Sequence, residues 1–184
     1  MLSPVVHLLI IACFAGLLLF AAAQDLLWLK LPNRLSLAIL LLYPGHVLVS
    51  PVPVEWQSAL ILAAFVLAGG IFCFFMGWAG GGDAKLFTVV SLWAGPGLFP
   101  LFLLLTGVAG GVIAAVLLAR RHLAPRFAPR WAIAHGIGAH AAVPSGGATT
   151  ADPAARRLER MSLPYGVAIA FGGLAVAVSL LMQG

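Results

Sequence analysis

Long apolar runs separated by short polar connections set the pattern of this chain. Val5 to Ala23, Leu35 to Val49, Ser58 to Gly77, Leu98 to Ala119 and Leu163 to Met182 contain no Asp, Glu, Lys or Arg. A helix crosses lipid hydrocarbon with roughly 20 apolar residues, each rising about 1.5 Å, so these runs predict spanning helices. Ala84 to Ala94 is shorter but apolar and helix-compatible, and Gly95-Pro96-Gly97 ends it. It counts as a further helix, the fourth in order. The expected fold is all-α: a polytopic membrane bundle of about six helices with the fourth short. Residues 1–184 then form a single integral-membrane domain, with 120–162 as a loop within it. The second run is also short and spans only by tilting or by thinning the bilayer.

Composition agrees with this pattern. The 184 residues are 62% hydrophobic and 8% charged, with a mean hydropathy of +1.10, whereas a soluble domain carries about 25% charged residues. So few charges cannot cover a water-facing surface, and the lipid bilayer is the expected surrounding. Position matters more than the net charge of +5. With six alternating crossings, all ten basic residues fall on one side: Lys30, Arg34, Lys85 and the seven arginines from Arg120 to Arg160. The opposite connections, Ser50 to Gln57 and Gly95 to Gly97, have none. The positive-inside rule makes the basic side cytoplasmic, which puts both termini outside the cytoplasm. Met1 to His7 lacks the basic start of a secretory signal, so the first run is expected to stay as a helix despite Ala21-Ala22-Ala23 before Gln24. Nucleic-acid binding has no supporting motif.

Two of the five acidic residues stand out. Asp25 closes the first apolar run, ahead of Leu31-Pro32-Asn33, and Asp83 follows Gly80-Gly81-Gly82 and precedes Ala84-Lys85. Carboxylates at membrane depth are costly and mark functional sites by default. Both lie at the predicted cytoplasmic boundary. The glycine triplet can take positive φ and admits a close neighbour. Asp83 is expected at or near the N-cap of the short helix, where a capping aspartate is the plain structural role. Asp25 is expected near the C-terminal end of a helix that runs to about Lys30 before Pro32 stops it. Its plain role is an interfacial partner of Lys30 or Arg34. If the two acids meet, they cannot both ionise cheaply, and the pair shares a proton. The helix ends, taken alone, bias that proton toward Asp25. One carboxylate then draws a proton from water while the other donates to a carbonyl oxygen.

These residues resemble the type IV prepilin (leader) peptidase family. Asp25 with Pro32-Asn33 looks like its D-x-x-x-x-x-x-P-N element, and Gly80-Gly81-Gly82-Asp83-Ala84-Lys85 like its G-x-G-D-x-K element. Leu163-Pro164-Tyr165-Gly166 looks like the P-Y-G opening its last helix. The resemblance runs from Asp25 to the C-terminus in the family's order. It implies an intramembrane aspartic endopeptidase of the bacterial inner membrane. Such enzymes cut the short basic leader from a prepilin or pseudopilin, after a glycine, at the cytoplasmic face. Asp25 and Asp83 carry over as the catalytic pair, with Gly80, Gly82, Lys85, Pro32 and Asn33 shaping the site and no cofactor. Larger members have an N-terminal cytoplasmic domain with paired cysteines and also methylate the new N-terminus. There is no room for that domain before Val5, so the chain resembles the short forms serving Flp or Tad pili, and methyltransferase activity is not expected.

The remaining residues have plainer readings. Lys85 is either a site residue near Asp83 or a lysine snorkelling to the boundary. Tyr165 suits an aromatic belt, and Glu55-Trp56 a helix start with a belt tryptophan. Cys13 and Cys73 are expected among buried packing residues. His135 and His140 lie in a linker-like stretch without nearby acids, and no metal site is expected. Trp131 to Val143 can form a short interfacial helix. The loop arginines set topology and secondarily meet anionic lipid. Presenilin-type aspartyl proteases share G-x-G-D, but their first aspartate follows Tyr, whereas Gln24 precedes Asp25. The alternative from another class is a small proton-coupled transporter or channel with Asp25 and Asp83 as relay groups. That reading needs neither the glycine triplet nor Pro32-Asn33.

Overall fold

The computed structural model describes residues 2–28, 32–127 and 165–183. Lys30, Trp131 to Val143, His135, His140 and Leu163-Pro164 lie outside the described residues. Every described element is helical: α1 (Leu2–Trp28), α2 (Asn33–Val49), α3 (Trp56–Phe75), α4 (Gly81–Phe127) and α5 (Tyr165–Gln183). Four of these five are long and apolar enough to cross a membrane, and α2 is a shorter apolar helix. Met1–Gly111 with Pro164–Gly184 makes one compact unit, which holds both candidate acids, and Val112–Leu163 makes a second. Of that second unit, residues 112–127 are described and helical.

The expected short fourth helix is present, although the chain stays helical on both sides of its end. Gly95, at φ 57° and ψ −179°, breaks α4, a backbone conformation that a Cβ disfavours. The Phe87 and Phe102 ring centroids lie 4.9 Å apart across this break. A straight helix would hold residues at that spacing about 22 Å apart along its axis. The chain therefore reverses at Gly95, and residues 81–94 and 96–127 are two helices, so the described residues form six helices, the number expected.

α1 packs against α5 and α2 through one stripe. Its buried residues are His7, Ile11, Phe14, Leu18, Ala21 and Asp25, which alternate in steps of four and three as a helix seam does. Asp25 thus ends the core-facing stripe, away from lipid. Cys13, expected among packing residues, is instead exposed, because it falls between the stripe positions Ile11 and Phe14. α5 meets its neighbours with small residues, including Ala168, Ala170, Gly172, Gly173 and Ala177. A Cβ on Gly173 would lie 2.7 Å from Leu18 Cδ1 and 3.0 Å from Val90 Cγ1. Such close backbone approach is how helices associate in lipid, where no hydrophobic drive separates helix from solvent.

At the end of the bundle away from Asp25, His7 stacks on His46 and His46 on Trp93, with ring centroids 5.2 and 5.0 Å apart. Trp93 stacks in turn on Phe14 at 4.1 Å, and its indole N–H donates to the Ile39 carbonyl at 3.2 Å. This ladder ties α1, α2 and α4 together and satisfies the one polar atom of the tryptophan. Glu55 and Trp56 mark the start of α3 as expected, with Ser58 Oγ donating to Glu55 Oε2 at 3.1 Å.

Candidate functional site

The acid-bearing segments converge at one end of the bundle because α3 stops sharply. Gly77, at φ 74°, closes α3, with Trp78 N–H donating to the Cys73 carbonyl at 2.9 Å and Gly77 N–H to Phe74 at 3.0 Å. This pair of bonds is the Schellman ending, which uses up carbonyls that lipid could not satisfy. The chain then passes through Gly80 into α4, whose first helical bond runs from Ala84 N–H to the Gly80 carbonyl at 3.1 Å.

Gly80 is therefore the N-cap, and Asp83 stands three residues later in the first turn, near the N-cap as the sequence suggested. Its carboxylate turns back toward the Gly80 N–H, the returning half of a capping box. The approach needs a bare backbone: a Cβ on Gly80 would lie 2.8 Å from Asp83 Oδ2. The positive-φ glycines among the described residues are Gly77 and Gly95, so positive φ is not what the triplet Gly80 to Gly82 supplies. At Gly80 the absent side chain makes room for a carboxylate.

Asp25 sits in the last turn of α1, buried to 4% exposure. Its Oδ2 accepts a hydrogen bond from Val167 N–H at 3.3 Å, and Gly166 N–H is also directed at it. Both donors belong to the first turn of α5, where backbone N–H groups have no partner within their own helix. The expected contrast between the two acids, one at a negative helix end and one at a positive end, does not survive. Asp25 ends α1 but faces the N-terminus of α5, so each acid meets a helix N-terminus. The two carboxyl groups lie close enough to act on each other electrostatically.

Lys85 is exposed, and its ammonium donates to Asn33 Oδ1 at 3.0 Å. This bond joins the two predicted motifs directly, across 52 residues of sequence. Pro32 is the N-cap of α2, in extended conformation, and its carbonyl accepts Leu35 N–H at 3.0 Å. It places Asn33 as the first helical residue, aimed at Lys85. Gly82, also predicted to shape the site, lies in the first turn of α4 beside Asp83. Sequence reasoning noted the P-Y-G segment but did not count Gly166 or Val167 as site residues. The signal was the motif itself, and the contact to Asp25 came only with the fold. Tyr165 is exposed at the head of α5. No cluster of three or more His, Cys, Asp or Glu side chains suited to a metal occurs among the described residues.

In the protein-family comparison, the model described as Type IV leader peptidase family matches residues 7–115. That match spans more than half of the chain and includes Asp25, Pro32, Asn33, Gly80, Asp83 and Lys85. Comparison with curated proteins and with solved structures gives no match.

The bond between Asn33 and Lys85 makes a separable prediction. In a double-mutant cycle of Asn33→Ala and Lys85→Met, denaturation in mild detergent should show a coupling of about 0.5–1 kcal/mol, the range for an exposed polar pair. Additive losses would mean that Lys85 serves lipid instead.

Proposed function

We propose, starting from the fact that the chain belongs to the type IV leader peptidase family, that it is an intramembrane aspartic endopeptidase with Asp25 and Asp83 as its catalytic pair. Family membership implies peptidase activity. The substrate in this reading is a prepilin or pseudopilin, cut behind its short basic leader at the cytoplasmic face of the membrane. In this reading the enzyme is of the kind serving Flp or Tad pili, without methyltransferase activity. Gly80, Gly82, Lys85, Pro32 and Asn33 shape the site, and residues 120–162, expected as a loop but helical as far as Phe127, form the cytoplasmic connection of one membrane domain. The observation that carries the reading is the seating of both acids at the same end of the bundle, each against a helix N-terminus.

The chemistry follows from the pairing. Two carboxyl groups in mutual range share one proton, because ionising both in a poorly solvated site is costly. The ionised member takes a proton from water as that water adds to the scissile carbonyl carbon. The protonated member gives its proton to the carbonyl oxygen, forming a tetrahedral diol. The carboxyl group that took the water proton then gives it to the leaving nitrogen while the other carboxylate takes a proton from a diol hydroxyl; the C–N bond breaks, the C=O bond re-forms, and the pair again holds one proton. The backbone N–H groups from α4 and α5 hold the carboxylates in place without supplying a competing proton. Because the two titrations are coupled, a pH–rate profile reports values for the pair.

Asp25→Asn and Asp83→Asn should each lower cleavage of a co-expressed cognate prepilin by about 100- to 10,000-fold, the range for loss of a general acid or base. Both variants should insert normally. Gel-shift assay of leader removal checks this, and near-normal processing by either variant would refute the pair.

Orientation is tested separately. A reporter active only outside the cytoplasm should be on when fused between Val52 and Val54 or after Met182, and off near Gly146. This follows from placing all ten basic residues on one side under the positive-inside rule. An active reporter at Gly146 would put the acids at the wrong face.

A further inference from the structure

The first turn of α5 touches Asp25 in a way that the two-aspartate mechanism does not require. Gly166 is buried. It is not among the positive-φ glycines, so backbone conformation does not explain the glycine. Space does. A Cβ on Gly166 would lie 2.8 Å from both Cγ and Oδ2 of Asp25, and 3.0 Å from Asp25 Cβ. The contrast with Gly80 is informative. There the near atoms are Oδ2 at 2.8 Å and Cγ at 3.6 Å of Asp83, the far end of a side chain that can turn away. At Gly166 the root of the Asp25 side chain is also in contact. Rotation about χ1 leaves Cβ where it is, so relief requires α1 and α5 to separate.

We propose that Gly166 and the Val167 backbone N–H are positioning groups for Asp25, forming a seat in the first turn of α5 that sets where this carboxylate lies relative to Asp83. The proposal rests on the catalytic reading of Asp25. Gly166 lets the two helices close to contact, and contact brings Val167 N–H within 3.3 Å of Oδ2. The donor is free because first-turn N–H groups have no intrahelical acceptor. A third helix thereby fixes an acid that α1 alone would leave at the end of its last turn. Both groups act through Asp25, so their loss should act on the orientation of Asp25 and leave substrate binding largely intact.

The test uses the full-length enzyme in membranes. Gly166→Ala should lower kcat by about 100-fold, the cost of a misplacement near 1 Å, with KM essentially unchanged and a displaced pH–rate profile. Gly172→Ala, on the same helix and tighter still against Phe102 and Thr106 of α4 but remote from Asp25, should leave the profile of the folded fraction where it was. A second readout does not depend on proteolysis: the carboxyl infrared band of Asp25, identified by its loss in Asp25→Asn. This band should shift in Gly166→Ala and stay in place in Gly172→Ala. If Gly166→Ala does not insert, Val167→Pro removes the single N–H at a first-turn position that tolerates proline, and the same band should shift. An unmoved Asp25 band in whichever of the two variants inserts would overturn the seat. Absence of prepilin cleavage by the wild-type chain would instead refute the endopeptidase reading, and the infrared comparison would still decide the seat.

Discussion

Unused backbone N–H groups are scarce inside a helical membrane bundle, and the placement of both acids follows from that scarcity. Each helix spends its N–H groups internally except in the first turn, and lipid offers no replacement donors. A carboxyl group buried at membrane depth must therefore find a helix start. Asp83 finds its own, turning back to Gly80 at the head of α4. Asp25 ends α1 and has no such start within its own helix, so the head of α5 is brought to it. The small-residue face of α5, the absent side chain at Gly166 and the 4-3 stripe of α1 all serve that approach. The reversal at Gly95 then returns the chain, so that residues 81–94 and 96–111 can both lie against α5 near Val90 and Phe102.

The helices were legible in the sequence, and the faces they present were not. Length and hydropathy located every apolar run, and the Gly95-Pro96-Gly97 break was readable from its residue types. The buried stripe of α1 was hidden because lipid-facing positions such as Leu19 and Phe20 are as apolar as the core positions Phe14 and Leu18. In water the outer face would be polar and the period visible; in lipid that contrast is missing. For the same reason Cys13 passed for a packing residue. Only small residues still mark a packing face in lipid, and the glycines and alanines of α5 do so here.

The candidate site divides along the same line. Asp25, Asp83 and the glycine triplet stood out because charge and glycine are conspicuous against an apolar background. Their partners were not conspicuous. Lys85 reads equally well as a snorkelling lysine until Asn33 is found 3.0 Å away. Val167 donates through its backbone, which residue type does not announce. The dipole argument from sequence treated each acid within its own helix. It failed for Asp25 because the field that acts there comes from a helix more than 130 residues further along. Local reading finds the chemistry, and tertiary packing decides its setting.

Proximity of the two acids across the bundle is the claim on which the endopeptidase reading stands. Paired cysteines test it directly. With Cys13 and Cys73 replaced by Ala, Asp25→Cys combined with Asp83→Cys should crosslink in native membranes with a short bifunctional thiol reagent. Asp25→Cys combined with Val167→Cys serves as the positive control from a contact seen in the fold. Crosslinking of both pairs is the predicted result. Crosslinking of the control pair alone, with positions 25 and 83 left unjoined at every reagent length up to about 10 Å, roughly the interaxial distance of packed helices, would contradict the dyad.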